Sequence, residues 1–297
     1  MFSKALIVYF SGTGGTERVA DEFDKQLKSR LCETNKYPLD LSLSKEGRLE
    51  CQELIEKSDL VILAFAVHAV DAPDPVYYWI QNIQGMGKKA VVVSVSGGGE
   101  VWPNTGCRSN CISALERKGF EVIYEKMLVM PCNWVFSISD DLAVRLLQIL
   151  PKKINKILDE TFSGHRRRNN YKKGLFATKL TKGEKGGAYK FSKKIKINEK
   201  CSGCGWCASN CPVKNINIKD GKPHFEEKCI ICFRCIYGCP RKAMESKNFM
   251  VLKEGFDIKA AERRMEGKEL LPVEQCIKGI KGLFFKALKA YLLDKEK

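Results

Sequence analysis

The stretch KALIVYFSGTGGTERVA, residues 4–20, decides the fold. Its first seven residues make a short, nearly continuous apolar run, the pattern of a strand buried on both faces. The run breaks at Ser11, Gly12, Thr13, Gly14, Gly15 and Thr16, and an amphipathic, helical pattern then continues to residue 31. A strand, a glycine- and hydroxyl-rich turn and a helix in direct succession bring backbone N–H groups and the positive end of a helix dipole to one point. Such a loop can hold a dianionic phosphate, with hydroxyls as extra donors and glycines letting the backbone close around it. The Gly-Lys-Ser/Thr ending of a nucleoside-triphosphate loop is missing, as is G-x-G-x-x-G. A monophosphate bound without a metal suits this loop.

Working outward, the same alternation recurs four times. Apolar runs predict strands at 36–40, 59–66, 90–95 and 121–130, and helical patterns cover 49–57, 75–83, 111–118 and 139–159. Five such βα units predict a three-layer α/β domain, although alternation alone leaves the strand order open.

The whole chain has 297 residues, 44% hydrophobic and 29% charged, which excludes a disordered or collagen-like chain and leaves room for two domains. No apolar run approaches a membrane span, and the apolar start at 5–10 is too short for a signal-peptide core, so a cytoplasmic location is expected. Fourteen cysteines in a reducing compartment argue for metal or catalysis before disulfides. Of the net charge of +16, residues 152–200 carry +12, with sixteen Lys or Arg against four acids. Periodicity fades across 162–199, where Gly164, Gly174, Gly183, Gly186 and Gly187 sit among basic residues. We expect a linker or an extended arm there.

Beyond the arm stands the strongest motif of the chain. Cys201-x-x-Cys204-x-x-Cys207-x-x-x-Cys211-Pro212 is repeated as Cys229-x-x-Cys232-x-x-Cys235-x-x-x-Cys239-Pro240. Three thiolates on one tight loop reach three corners of a cuboidal cluster, and the fourth, carried away by the turn at its proline, serves the other cluster. The expected sets are Cys201, Cys204, Cys207 and Cys239 for one [4Fe-4S] centre, and Cys229, Cys232, Cys235 and Cys211 for the second. Zinc sites usually draw cysteine pairs from two separated loops, and secreted disulfide frameworks lack this phase and proline.

This second half resembles a bacterial two-cluster ferredoxin over about residues 195–243. The resemblance implies a small pseudo-symmetric α+β unit of hairpins and short helices around two clusters, with Gly203, Gly205 and Gly238 allowing close approach to the sulfurs. Trp206, Phe233 and Tyr237, inside the motifs, either shield the clusters or simply pack the core. The first half resembles the flavodoxin family at the 11–16 loop and at two later ones. These are Ala66, Val67, His68, Ala69, Val70, Asp71, Ala72 and Pro73 after the third strand, and Ser96, Gly97, Gly98 and Gly99 after the fourth. That resemblance implies a five-stranded parallel sheet of order 2-1-3-4-5, with the phosphate of flavin mononucleotide (FMN) on the first loop. The isoalloxazine ring would lie between the other two, contacted at Ala66, Val67, His68, Ala69, Ser96, Gly97, Gly98 and Gly99. His68, Trp102 and Trp134 are the candidates to face the ring. The architecture as a whole resembles flavodoxin-ferredoxin fusion proteins of anaerobic bacteria. The resemblance covers about residues 1–243, so we expect a flavodoxin-like domain at 1–160, a basic linker at 161–194 and a ferredoxin domain at 195–250, with a helical extension at 251–297 that the resemblance does not cover.

The remaining features are weaker. Cys107 and Cys111 lie one helical turn apart, a spacing open to a redox pair or to two ordinary thiols; Cys32, Cys51, Cys132 and Cys276 read as ordinary. His165 and His224 read as surface residues. The arm, with Arg166, Arg167 and Arg168, lacks aromatic interleaving and any nucleic-acid module; steering toward redox partner proteins with an acidic docking surface and a plain solvated linker remain open. In the tail, Ile277, Ile280, Phe284, Ala287, Leu288 and Tyr291 share a helical face, and Lys278, Lys281, Lys286 and Lys289 accompany it. It reads as a helix docked on its own domain or a second subunit, or as one lying on a membrane surface. The expected function is a relay of electrons between the two clusters and FMN. The alternatives are a flavin-dependent reductase of a small electrophile, for which only His68, Asp71 and Glu100 offer acid or base groups, and a redox sensor acting through the arm.

Overall fold

The computed structural model describes residues 2–135, 137–169, 171, 174–278 and 283–295, and within these all side chains but those of 189 and 283–286. Its first half is a five-stranded parallel sheet in the order β2-β1-β3-β4-β5. The strands are β1 (Lys4–Phe10), β2 (Glu33–Pro38), β3 (Leu60–Ala66), β4 (Lys89–Ser96) and β5 (Glu121–Val129), and the covering helices are α1 (Gly15–Ser29), α2 (Lys45–Lys57), α3 (Asp74–Gln81), α4 (Ser109–Arg117) and α5 (Asp140–Phe162). This is the flavodoxin-like order. Ile7, Val8, Ile62 and Leu63 are almost wholly buried because helices cover both faces of the sheet. One core packs α1 and α5 on it, and the other packs α2, α3 and α4.

The second strand departs from expectation. β2 starts at Glu33, opposite Lys4, and ends at Pro38, while residues 39–43 turn into a short 3-10 helix. An edge strand has one flank in solvent, and here Tyr37 alone is buried, so no apolar run marks it.

The stretch expected to be a linker or extended arm contains α6 (Leu175–Ser192). Its glycines weaken the helix, and contacts on both sides compensate. Thr181 Oγ1 donates to the Ala69 carbonyl at 2.6 Å, Lys185 pairs with Asp74, and Phe191 is buried in the core of the second unit. Before α6, residues 165–169 run beside β5, where Glu125 N–H donates to the Arg167 carbonyl and Arg167 N–H to that of Ile123. Arg166 pairs with Glu121 and Arg168 with Glu116.

The second unit consists of β6 (Lys196–Ile197), α7 (Trp206–Ser209), β7 (Ile216–Lys219), β8 (Lys222–Phe225), α8 (Arg234–Tyr237) and β9 (Met244–Glu245), with β6 paired to β9 and β7 to β8. The tail forms α9 (Ala260–Met265), α10 (Val273–Cys276) and α11 (Leu283–Leu292). It docks on the first unit: Ile277, Leu288 and Tyr291 join the α1–α5 core, Arg18 pairs with Glu262, and Arg264 with Asp140. Ile280 and Lys281 of the expected stripe lie outside the described residues, as do the side chains of Phe284 and Lys286. Among the described residues no helix is long and apolar enough to cross a membrane.

The fold also buries a full charge at Arg108. Arg108 is 0% exposed; it donates to Glu125 at 2.8 Å and to Ser94 at 2.7 Å and pairs with Glu100, while Asn169 binds both of these acids. It therefore ties β4 and β5 to the segment that enters α6. Removing one partner of a buried pair leaves the other charge uncompensated, so Arg108→Ala should cost about 3–5 kcal/mol. The check is the urea midpoint; a change under about 1 kcal/mol would contradict the buried network.

Candidate functional site

The helices of the sheet domain are capped unequally. Ser44 caps α2 by accepting from Gly47 N–H, and Ser139 caps α5 by accepting from Leu142 N–H. α1 has no side-chain cap; its N-cap is Gly14, whose φ of +94° is a conformation costly for other residues. Its first-turn N–H groups thus face the 11–16 loop, the ends of β1 and the dipole together. Thr16 Oγ1, in a residue only 2% exposed, is buried there with no hydrogen-bond partner. A buried orphan hydroxyl beside uncapped N–H groups is a cradle for an anion. Ser11 Oγ accepts from Gly14 N–H at 3.1 Å, and Thr13 Oγ1 accepts from Asn133 Nδ2 at 2.8 Å.

The loop opens into a cavity of about 500 Å³ between the two units. Tyr9, Glu17, Pro38 and Asp40 line it on the sheet side beside Ser11 to Gly14; Trp206, Asn210, Arg234, Tyr237 and Gly238 line the other side, with Phe256 and Asp257 from the tail. Residues 66–69 and 96–99 stand outside this lining.

The loop after β3 is strained. His68 and Asp71 exchange backbone hydrogen bonds across Ala69 (φ +52°) and Val70 (φ +58°), a tight turn built without glycine. Positive φ at a β-branched residue persists only where neighbours over-determine it. Here Asp71 accepts from Tyr77 Oη at 2.6 Å and from Ala72 N–H, the Ala69 carbonyl is held by Thr181, and His68 Nδ1 donates to the Ile230 carbonyl at 3.0 Å. In the loop after β4, Ser96 Oγ accepts from Gly98 N–H and Asn104 Nδ2, Gly97 packs on Cys132, and Gly99 packs on Ala287. Trp102 stacks on Phe176 of α6, and Trp134 is 42% exposed. The acid and base candidates are engaged elsewhere: His68 with Ile230, Asp71 with Tyr77, Glu100 with Arg108.

The cysteine repeat has a period of 28 residues, and the backbone repeats with it. Positive φ recurs at Gly203 and Ile231, at Gly205 and Phe233, and at Lys214 and Lys242. At two of these three positions the side chains differ, glycine in one copy and Ile231 or Phe233 in the other, so the loop shape and not the residue type is imposed. Hydrogen bonds to sulfur repeat as well: Asn215 N–H donates to Cys211 Sγ at 3.2 Å and Ala243 N–H to Cys239 Sγ at 3.3 Å. Such bonds help set cluster potentials. Burial pushes the Cys207 thiol up, and its charged thiol neighbours are Cys239 and Cys201. Burial raises Cys235 further, and its neighbours run Cys232, Cys229, Cys211 and then Cys207. The fourth cysteine of each motif thus lies near the third of the other, Cys239 near Cys207 and Cys211 near Cys235. Among the described residues no three His, Cys, Asp or Glu converge to hold a single metal ion. Cluster thiolates each bind a separate iron and need no such convergence.

The other cysteines are buried, and burial pushes Cys51, Cys107 and Cys132 up to about 11 and Cys111 well above its usual value. As thiols they are inert at neutral pH. His165 and His224 are exposed. Phe233 packs on Phe191 and Tyr237 in the second core, and Tyr237 Oη donates to the Asn133 carbonyl at 3.0 Å.

Sequence reading missed Arg234. Its Nη2 donates to the Ser11 carbonyl at 2.5 Å, Nε to that of Gly12 at 3.3 Å and Nη1 to that of Asn210 at 3.0 Å, and it pairs with Asp40. Against this, a Cβ on Gly12 would lie 2.6 Å from the Cys232 carbonyl oxygen, so only glycine permits the contact. The available signal was an asymmetry of the repeat, which carries Trp206 at the place of Arg234.

Comparison with known proteins finds one family match, in the second half. Residues 194–217 match the family described as 4Fe-4S binding domain. Among solved structures the chain is similar to a flavodoxin from the domain Archaea (12% identity, 54% of this chain and 99% of that one, TM-score 0.37). It is similar to a putative quinone reductase from Klebsiella pneumoniae (14%, 57% and 90%, TM-score 0.43) and to the two-electron reduced flavodoxin of Megasphaera elsdenii (20%, 41% and 84%, TM-score 0.34). No curated protein matches the chain. Fold and site together define a flavodoxin-like sheet joined to a 4Fe-4S binding segment.

Burial drives the His68 pKa down from its ordinary value to about 4, with the Ile230 carbonyl opposing the shift. A depressed folded pKa makes stability fall as the pH drops below the ordinary value of about 6.5 toward the folded one, because the unfolded chain takes up the proton first. A histidine NMR titration should find His68 titrating below about pH 5; titration near 6.5 would refute the half-buried, donating ring.

Proposed function

We propose that the protein is an intracellular electron-transfer flavo-iron-sulfur protein that binds FMN on the 11–16 loop and two [4Fe-4S] clusters on the cysteine repeat. Electrons pass between them within one chain. The observation that carries this reading is the contact of the phosphate loop with the second cysteine loop, Gly12 against the Cys232 carbonyl, because relay requires the two cofactors to be close.

The residues present fit both groups. The α1 N–H groups and the Thr16 hydroxyl would hold the phosphate, and Asn133 fixes Thr13 beside it. The strained 66–71 loop and the 96–99 loop would border the ring, with His68 neutral and oriented by Ile230. Cys201, Cys204, Cys207 and Cys239 would hold one cluster, and Cys229, Cys232, Cys235 and Cys211 the other. A flavin takes one or two electrons and a cluster takes one, so the pair converts single-electron traffic to two-electron traffic. The chain contributes position, water exclusion and hydrogen bonds to sulfur. Among the described residues His68, Asp71 and Glu100 are all engaged, which favours carriage over turnover of a small electrophile.

Thr16→Val tests the flavin half. The hydroxyl has no partner in the protein, so stability should hold or rise, while FMN affinity falls about tenfold to a hundredfold with the loss of a hydrogen bond to a charged group. Fluorescence titration measures the affinity and thermal unfolding the stability. Unchanged FMN binding would place the phosphate elsewhere.

A further inference from the structure

The two cysteine loops are related by the repeat but meet the sheet domain unequally. The second touches it at four points: the Cys232 carbonyl on Gly12, Arg234 on Ser11, Gly12 and Asp40, the Ile230 carbonyl on His68, and Tyr237 on Asn133, which in turn holds Thr13. The first loop borders the cavity through Trp206 and Asn210 but makes none of these four contacts. Cys204 is exposed, and Gly203 packs on the Gly221 carbonyl at the tip of the β7–β8 hairpin. Lys200, Lys219, Lys222, Arg241 and Lys242 are exposed around it, with Glu199, Asp220 and Glu245 among them.

We infer that Arg234 is a latch between the two units, that the cluster of Cys211, Cys229, Cys232 and Cys235 is the inner one beside the flavin phosphate, and that the cluster of Cys201, Cys204, Cys207 and Cys239 is the outer one, facing a one-electron carrier protein. This deepens the proposed function and rests on its cofactor set. Carbonyls of Ser11, Gly12 and Asn210 converge on one guanidinium whose charge Asp40 balances, so a planar fork of donors joins three chain segments. The equivalent position in the first motif is Trp206, which cannot do this. Cys201, Cys204, Cys207 and Cys239 would hold the cluster that takes one electron from the carrier, and Cys211, Cys229, Cys232 and Cys235 the cluster that would pass it to the flavin, each transfer oxidising its donor as it reduces its acceptor by one electron.

The test uses the full chain with FMN bound and reads the phosphorus resonance of its phosphate. Iron and flavin are assayed first; wild type without about eight irons and one flavin would sink the cofactor reading itself. In fully reduced protein the clusters are paramagnetic and the two-electron-reduced flavin is not, so line broadening reports the distance from phosphate to cluster. Wild type should broaden on reduction. Asp40→Asn, which leaves the cysteine loop untouched, and Arg234→Gln should lose most of the broadening while keeping iron and flavin. Cys204→Ser should keep it and Cys232→Ser should lose it. Broadening that ignores Asp40 and Arg234, or follows Cys204 instead of Cys232, would overturn the latch and the cluster order while leaving the cofactor set standing.

Discussion

Arg234 joins what the chain otherwise keeps apart. A phosphate-binding loop must leave its N–H groups free for the anion, so its carbonyls turn outward and need partners of their own. In a solitary domain water would serve. Here the Ser11 and Gly12 carbonyls meet one guanidinium from the second cysteine loop, which also takes the Asn210 carbonyl and Asp40. Glycine at position 12 allows the Cys232 backbone to come against the loop. The geometry of both candidate sites is therefore one problem with one solution, and the cavity of about 500 Å³ lies where the two units face each other.

Two long-range elements support that arrangement. α6 bridges the units, with Thr181 on Ala69 at one side and Phe191 in the second core at the other. The tail closes the sheet domain from the opposite side, placing Leu288 and Tyr291 in the α1–α5 core and Ala287 on Gly99. The basic charge of the arm is partly spent on this assembly, since Arg166, Arg168 and Lys185 pair with Glu121, Glu116 and Asp74 of the sheet domain.

Local signals made much of this legible. Strands buried on both faces write themselves as apolar runs, so four of five were placed within a few residues; the fifth, β2, is a polar edge whose pairing is set by β1. The hydroxyl- and glycine-rich loop and the cysteine repeat were visible because short-range spacing defines them. What could not be seen depends on the other unit. α6 carries three glycines, Gly183, Gly186 and Gly187, that weaken its helical pattern, and contacts at Ala69, Asp74 and the second core support it. Arg234 looks like any charged residue until the repeat is aligned with itself. His68 could be named as a loop residue, but its orientation by the Ile230 carbonyl exists only once the units meet.

The central claim is that one chain holds a flavin and two clusters at touching loops. It is tested most directly by anaerobic reductive titration of freshly prepared protein, with absorbance spectra, iron, sulfide and released flavin measured on one sample. The account predicts about eight irons and one flavin per chain, with cluster and flavin bands bleaching in one connected series of one-electron steps. Zinc in place of iron, no flavin, or a flavin that stays oxidised while the clusters are reduced would contradict it.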